Sequence, residues 1–462
     1  MQSISPADMN NPTYQPAQLK RCLSAFDLTM LGIGAIIGAG IFVLTGIAAA
    51  TQAGPAIILS YILAGIACAF SALAYAELAS SVGGCGGAYS YAYAGIGQFV
   101  AWIIGWDLLL EYGMDAATVS IGWAGYVQNA LSAIGITIPN SLVTDPFHGG
   151  IMNVPAALII LCLASVLAMG TNHSAKVNKI IVYIKLSVIA LFIIIGMCNF
   201  NINNWHPFLP FGMQGIVNGA GLIFFAYIGF DTLSTAAEET KNPQRDIPVG
   251  IIASLAICTI VYILVAGVLT GIKYYGDLNV SSPVATVLID TGHKYAAEII
   301  SLGAIAGLTT AILAMLFGFT RVALAMSRDG LLPSRIGTIH MASSTPRKLI
   351  WVTGIIMALI AGIFPIASIA NLVNIGTLSA FIAVSLSVIV LRHTKPEMPR
   401  PFKTPFSPLV PILGVLLSLY LMSSLPMITW ISFLIWTGIG LGIYFLYSRR
   451  NSLRTKAAAL VS

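Results

Sequence analysis

Three carboxylates stand at four-residue intervals in one apolar stretch: Asp107, Glu111 and Asp115 in GWDLLLEYGMD. On a helix they spread over only about 80°, so all three cannot face lipid. A buried acid there takes up a cation or a proton, or it makes a polar helix contact with a hydroxyl or backbone group. Lys185, in KVNKIIVYIKLSVIALFI, lies about two turns inside another apolar run. Its plain alternative is snorkelling to an interface. A lysine cycling between neutral and charged forms would link proton movement to whatever it touches. Asp231 closes a third polar position, just after FFAYIGF. The histidines are dispersed. The six cysteines, at 22, 68, 85, 162, 198 and 258, form no CxxC pair, so they read as small buried hydrophobes. No metal site follows from this set. HExxH, GxSxG and paired intramembrane histidines are also missing. Neither catalytic residues nor a cofactor are expected, and a membrane enzyme ranks last among the function classes.

The surroundings of these residues fix the class. The chain has 462 residues, 57% hydrophobic and only 8% charged, against about 25% charged in a soluble domain. That composition belongs to a multi-span membrane protein. The polar, proline-bearing N-terminus has no charged segment leading into a short apolar one, so no cleaved signal peptide is expected. A helix needs about 20 apolar residues to cross hydrocarbon. Twelve candidate spans result: 28–49, 56–79, 97–129, 151–170, 176–198, 215–238, 247–271, 296–327, 349–366, 368–391, 409–424 and 428–448. The third and eighth are long enough to require tilt. With both termini cytoplasmic, 19 of the 22 Lys and Arg residues fall inside, while Lys273 and Lys294 fall outside. The net charge of +6 is thus a topology signal, and nucleic-acid binding is not expected.

Span 1 contains IGAIIGAGIF, and span 6 contains GIVNGAGLIFFAYIGFDT. Both are interrupted by glycine, and each is the first of a group of five spans. An odd-numbered repeat inserts with opposite orientation, and paired interrupted spans in matching positions point to a transporter's binding site. Helix packing through Gly34 and Gly38 is the alternative for the first motif taken alone. A break leaves N–H and C=O groups without partners, and each costs several kcal/mol in hydrocarbon unless satisfied. An α-amino acid supplies both partners. The N–H groups near Ala39 and Gly40 would hold its carboxylate. Carbonyls near Ile36 in span 1, and near Phe225, Ala226 and Ile228 in span 6, would hold its ammonium.

Several motifs together resemble the amino acid–polyamine–organocation superfamily, near bacterial relatives of the cationic amino acid transporters. They are IGAIIGAGIF, YAELASSVGGCGGAYSYAY, GWDLLLEYG, FFAYIGFDTLSTAAEETKNPQRDIPVGI, RVALAMSRDGLLP and VLRHTKPEMPRPFKTPFSPLVPILG. The resemblance implies an all-α fold of the leucine-transporter type: five plus five inverted helices, with helices 1 and 6 broken and two more appended. It implies alternating access to a central amino acid, with the carboxylate at Gly38–Ala39–Gly40. Many relatives have Ser or Thr at the middle position; Ala39 leaves recognition there to the backbone. Lys185 matches a lysine that can stand where sodium-coupled cousins hold an ion, which favours proton coupling or exchange. Met315 and Phe317 are pocket walls by family position. Relatives mostly carry a small or apolar residue at Asp115, so this carboxylate is read as accepting a cationic substrate side chain or a proton.

The expected organisation is a cytoplasmic tail at 1–27 and a ten-helix core at 28–391, with repeats at about 28–198 and 215–391. A cytoplasmic linker with two accessory helices follows at 392–448, then a cytoplasmic tail at 449–462. The expected function is secondary amino acid transport in the plasma (inner) membrane, coupled to protons and surrounded by lipid. Cationic substrates are slightly favoured over small neutral ones. The alternatives are amino acid/amine exchange and a non-transporting sensor. Lys185, Glu111 and Asp231 are the coupling or gating candidates. Oligomeric state is not legible.

Overall fold

A computed structural model describes residues 23–82, 87–169, 175–333 and 346–452. Among these residues there is no β-strand, only an isolated bridge between Leu23 and Thr240. Each of the twelve apolar intervals contains helix. Seven helical stretches are long and apolar enough to cross a membrane; Ala25–Ile36, Val154–Met169 and Leu409–Ser423 are shorter apolar helices.

The first helix, α1 (Ala25–Ile36), starts at a capping box. Ser24 Oγ accepts from the Asp27 amide, and Asp27 Oδ2 accepts from the Ser24 amide at 2.9 Å. It stops where Ile37 turns extended. Winding resumes at Gly40–Leu44 as a π-turn, passes through α2 (Thr45–Ala48) and ends in a second π-turn, Ala49–Ala53. Thr45 Oγ1 donates to the carbonyls of Gly40 and Ile41, both at 3.1 Å, which suits the wider winding. Next come α3 (Ile57–Ser81), a short α4 (Gly87–Gly95), α5 (Gln98–Ala133), α6 (Val154–Met169) and α7 (Ala175–Cys198).

The chain then enters α8 (Gly212–Ile223), tightens into a 3-10 turn at Phe224–Tyr227, and turns extended at Ile228. Gly229 follows with φ +120°, a conformation that side-chain-bearing residues avoid. Its second half, Phe230–Glu239, is 3-10 and not α-helical. The side chains of Glu238 and Glu239, at the end of this half, lie outside the described ones. The remaining helices are α9 (Pro243–Ile272), α10 (Pro283–Asp290), α11 (Lys294–Arg328), α12 (Arg347–Ile363), α13 (Ile366–Thr394), α14 (Leu409–Ser423) and α15 (Met427–Ile443). Neither α4 nor α10 is foreseen by the span count: both are too short and too polar at their ends to register as spans.

The two longest helices, α5 and α11, have 36 and 35 residues, or about 54 Å each. They run against one another; α13, α12 and α6 also lie on α5. The opposite part of the bundle packs α1 and α3 on α9, with α7 against α1 and α11. Inside are large buried aromatics, including Tyr61, Tyr75, Tyr227 and Tyr262. Outside, Leu302 of α11 and Leu434 and Ile435 of α15 are exposed. A surface this apolar suits hydrocarbon and not water.

The linker after α13 is fastened to the bundle. Glu77, buried at the end of α3, accepts from Arg392 Nε at 2.9 Å and Nη2 at 2.7 Å, and from the Thr404 amide at 2.7 Å. Arg400 lies 3.6 Å from the same carboxylate and donates to four carbonyls around the linker.

Candidate binding site

The two breaks meet. A Cβ built on Gly40 would lie 2.4 Å from Ala226 Cα, so glycine is required for this approach of two backbones. At the junction a small cavity of about 10 Å³ is lined by Ile36, Gly38, Gly40, Asp115, Phe225, Ile228 and Met315, together with Ala35, Val119 and Ala311. A Cβ on Gly38 would meet nothing within 4 Å; its open face belongs to this space. Ala39 and Ala226 do not line it. The Ala39 methyl points at α5, 3.2 Å from where a Gly122 Cβ would be. Ala226 supplies the wall that Gly40 touches. Phe317 is not a wall either. It lies about 200° around the helix from Met315, is exposed, and carries the Arg321 guanidinium 4.1 Å over its ring.

The carbonyls at the break already have partners. Lys185 is 1% exposed, which removes the snorkelling alternative. Its Nζ donates to the carbonyls of Gly34 and Ile37, each at 2.8 Å. The Tyr262 hydroxyl lies 2.8 Å from both the Ile36 and the Ala226 carbonyls. These are two of the oxygens expected to meet a substrate ammonium, and sequence reading passes over Tyr262 because a tyrosine in an apolar helix looks like packing. The Phe225 carbonyl accepts from the Ile228 amide at 3.3 Å. On the donor side, the amides that open the second half of span 1 belong to a helix start, where intrahelical partners are lacking.

The acids occupy the other flank. Asp231 Oδ1 accepts from the Gly229 amide at 3.2 Å and Oδ2 from the Tyr112 hydroxyl at 3.4 Å. It therefore steadies the unwound segment of span 6, and Lys185 is not its partner. Asp107, Glu111 and Asp115 are all buried. Glu111 lies between Asp107 and Asp115 on α5, and the Thr377 hydroxyl donates to the Val373 carbonyl of its own helix at 3.1 Å. Among the described residues, Glu111 Oε1 and Asp107 Oδ1 have no hydrogen-bond partner. Among the described residues no group of His, Cys, Asp and Glu is arranged to hold a metal ion. Cys68, Cys162, Cys198 and Cys258 are free; Cys22 and Cys85 lie outside the described residues.

Above the small cavity, toward the end of the bundle where span 1 finishes, is a second space of about 740 Å³. Polar residues including Gln52, Gln128, Asn153, Asn218 and Asn279 line it. At the opposite end, contacts between described residues draw the helices together. Asp27 of α1 pairs with Lys179 of α7, the Tyr89 hydroxyl of α4 donates to Asp329 at 2.5 Å, and Tyr91 donates to the Ser234 carbonyl at 3.3 Å.

Two broken helices meeting at a small cavity, with a much larger one toward one end of the bundle, is an arrangement for passing a solute. Residues 23–448 match the model of the amino acid permease family. The chain belongs to that family. It is similar to the methylthioribose transporter of Bacillus subtilis, with 49% identity over 95% of each chain. It is also similar to a branched-chain amino acid permease of the same organism, with 47% identity over 96% of this chain and 97% of the relative. The vacuolar cationic amino acid transporter 4 of Arabidopsis thaliana is 37% identical over 83% of this chain and 65% of the relative. These relatives are named as transporters and permeases, not enzymes. With its apolar exterior, the chain is an integral membrane protein.

Proposed function

We propose that the chain is a secondary active transporter that moves an amino acid by alternating access. The observation that carries this reading is the junction of the breaks: a 10 Å³ cavity beneath a 740 Å³ one, with side-chain contacts drawing the helices together at the far end. The fold is read as twelve spans built on a five-plus-five inverted repeat, with the domain boundaries given by sequence. Basic residues favour cytoplasmic termini in a plasma membrane, so the wide cavity faces outward. The 10 Å³ junction has room for about one water, so it widens to admit the substrate, whose carboxylate then meets the amides from Gly38 to Gly40. Its ammonium competes with Tyr262 for the Ile36 and Ala226 carbonyls, and Met315 bounds the side-chain end. Lys185 is the coupling group, because it holds two carbonyls of the broken helix and can release them when it changes charge. Protons are therefore the coupling ion, with exchange against a product amine as the alternative. Glu111 and Asp231 act as gating groups on the flank.

The side-chain class divides two readings. A cationic amino acid is supported by Asp115, which lines the cavity with Asp231 and Glu111 in electrostatic reach. A neutral substrate, branched-chain or methylthioribose-like, is supported by the otherwise apolar wall of Val119, Phe225, Ile228, Ala311 and Met315, and by the names of the relatives near 50% identity. Uptake into liposomes separates them. Arginine, lysine, alanine, isoleucine and methylthioribose are offered under imposed proton or sodium gradients. Flux of an amino acid driven by protons meets the expectation; binding without flux identifies a sensor and overturns transport.

A further inference from the structure

Lys185 reaches α1 from α7, and α11 stands beside its path. A Cβ built on Gly307 would lie 2.6 Å from Lys185 Cε, 2.9 Å from Cγ and 3.2 Å from Cδ. Side-chain atoms do not approach so closely, so the lysine stem lies where an alanine at 307 would put its methyl. One turn earlier, a Cβ on Gly303 would lie 2.5 Å from Val188 Cγ1. Two small residues four apart allow two helices to close on each other, and that accounts for Gly303. Gly307 differs because its neighbour is the buried amine-bearing side chain. Continuing along the same face, Ala311 and Met315 line the small cavity. One face of α11 thus touches the stem of Lys185 and, one and two turns on, the space between the breaks.

We infer that Gly307 is the positioning residue for Lys185: its missing side chain lets the lysine stem cross α11 and place the ammonium on the Gly34 and Ile37 carbonyls. The inference rests on the coupling role proposed above for Lys185. With the stem in this slot, the ammonium has no slack and sits at 2.8 Å from both oxygens. The elements packed on α7 here are α1, α9 and α11. From α9 the titratable group in electrostatic contact with Lys185 is Cys258. From α1 it meets the two carbonyls, and from α11 it meets Gly307.

The test uses full-length protein in liposomes, with Gly307→Ala, Gly303→Ala, Lys185→Met and Lys185→Ala. Two readings are taken: accumulation driven by a pH gradient, as a function of pH, and counterflow exchange of labelled substrate without a gradient. Gly307→Ala is expected to lower driven accumulation by about tenfold, the worth of one hydrogen bond to a charged group, and to keep counterflow. Gly303→Ala, of similar steric demand but pressing on valine, keeps both. In the Lys185→Met background, Gly307→Ala adds no further loss. If Gly307→Ala alone does not fold, the double variant with Lys185→Ala should fold, because the shortened side chain vacates the slot. The inference is overturned if Gly307→Ala accumulates like the parent, if Gly303→Ala matches it, or if the double variant also fails to fold. Normal driven accumulation by Lys185→Met would instead sink the coupling role itself, a separate outcome.

Discussion

A phenol has one proton to give, and the Tyr262 hydroxyl stands between two carbonyls at equal distance. At any moment one of them is served less well, and an incoming ammonium can relieve it. Removing the hydroxyl takes a buried partner from both carbonyls, at a cost of about 1–3 kcal/mol. Tyr262→Phe is therefore expected to melt earlier without substrate and to gain more in melting temperature from saturating substrate than the parent does. Equal gains in both proteins would refute the competition. Asp115 makes the second residue-scale prediction. In Asp115→Asn the shape of the cavity is kept and the charge is lost. If the substrate is cationic, arginine or lysine uptake falls by about tenfold or more, the value of a charged hydrogen bond, while alanine uptake changes little. Unchanged arginine and lysine uptake excludes that role for the carboxylate. The glycines of span 1 can be read from sequence because an apolar helix has few reasons to collect them. Tyr262 and Gly307 cannot be, since the use of each depends on which helix lies opposite.

At the scale of elements, the broken spans are held together by backbone contact. The Gly40–Ala226 approach leaves no room for a methyl, and the atom in the way belongs to backbone. Gly40→Ala should assemble in the membrane yet lose substrate binding, checked by thermal shift with the transported substrate; retained binding would show that the halves can separate freely. The linker makes a different prediction. Breaking the bidentate Glu77–Arg392 pair by Glu77→Gln leaves Arg392 with a neutral partner and should destabilise the protein by about 2 kcal/mol. Detergent melting with and without the substitution measures it, and no change in melting temperature would discount the clamp. Helix positions are legible from apolar runs because each run must bury itself in hydrocarbon. What escapes is winding within a run: the π-turns after Gly40 and the 3-10 geometry from Phe230 to Glu239 are set by Thr45, Asp231 and neighbours far along the chain. The short α4 and α10 escape for lack of length.

For the whole molecule, the distribution of charge and of buried lysine bears on energy coupling. Lys185 reaches from α7 to two carbonyls of the broken first span, and the coupling role proposed for it makes the proton the driving ion. Driven accumulation should follow an inward proton gradient, persist when sodium is replaced by choline, and vanish in Lys185→Met while exchange survives. Sodium-dependent accumulation would contradict this. Among the described residues, the polar contacts at the end opposite the wide cavity join α1 to α7, α4 to the end of α11, and Tyr91 to the Ser234 carbonyl, and substrate binding that favours the other arrangement would exchange them.

The mismatch between the two cavities has a pharmacological consequence. A compound that fills the 740 Å³ space but stays too bulky for the junction below even when that widens for the transported molecule would wedge one mouth apart without ever being carried. Blockade by such a ligand would be sided: effective when applied at the open mouth, inert from the face where Asp27 pairs with Lys179. Its selectivity would come from the amide-rich rim of Gln52, Asn218 and Asn279, none of which lines the junction.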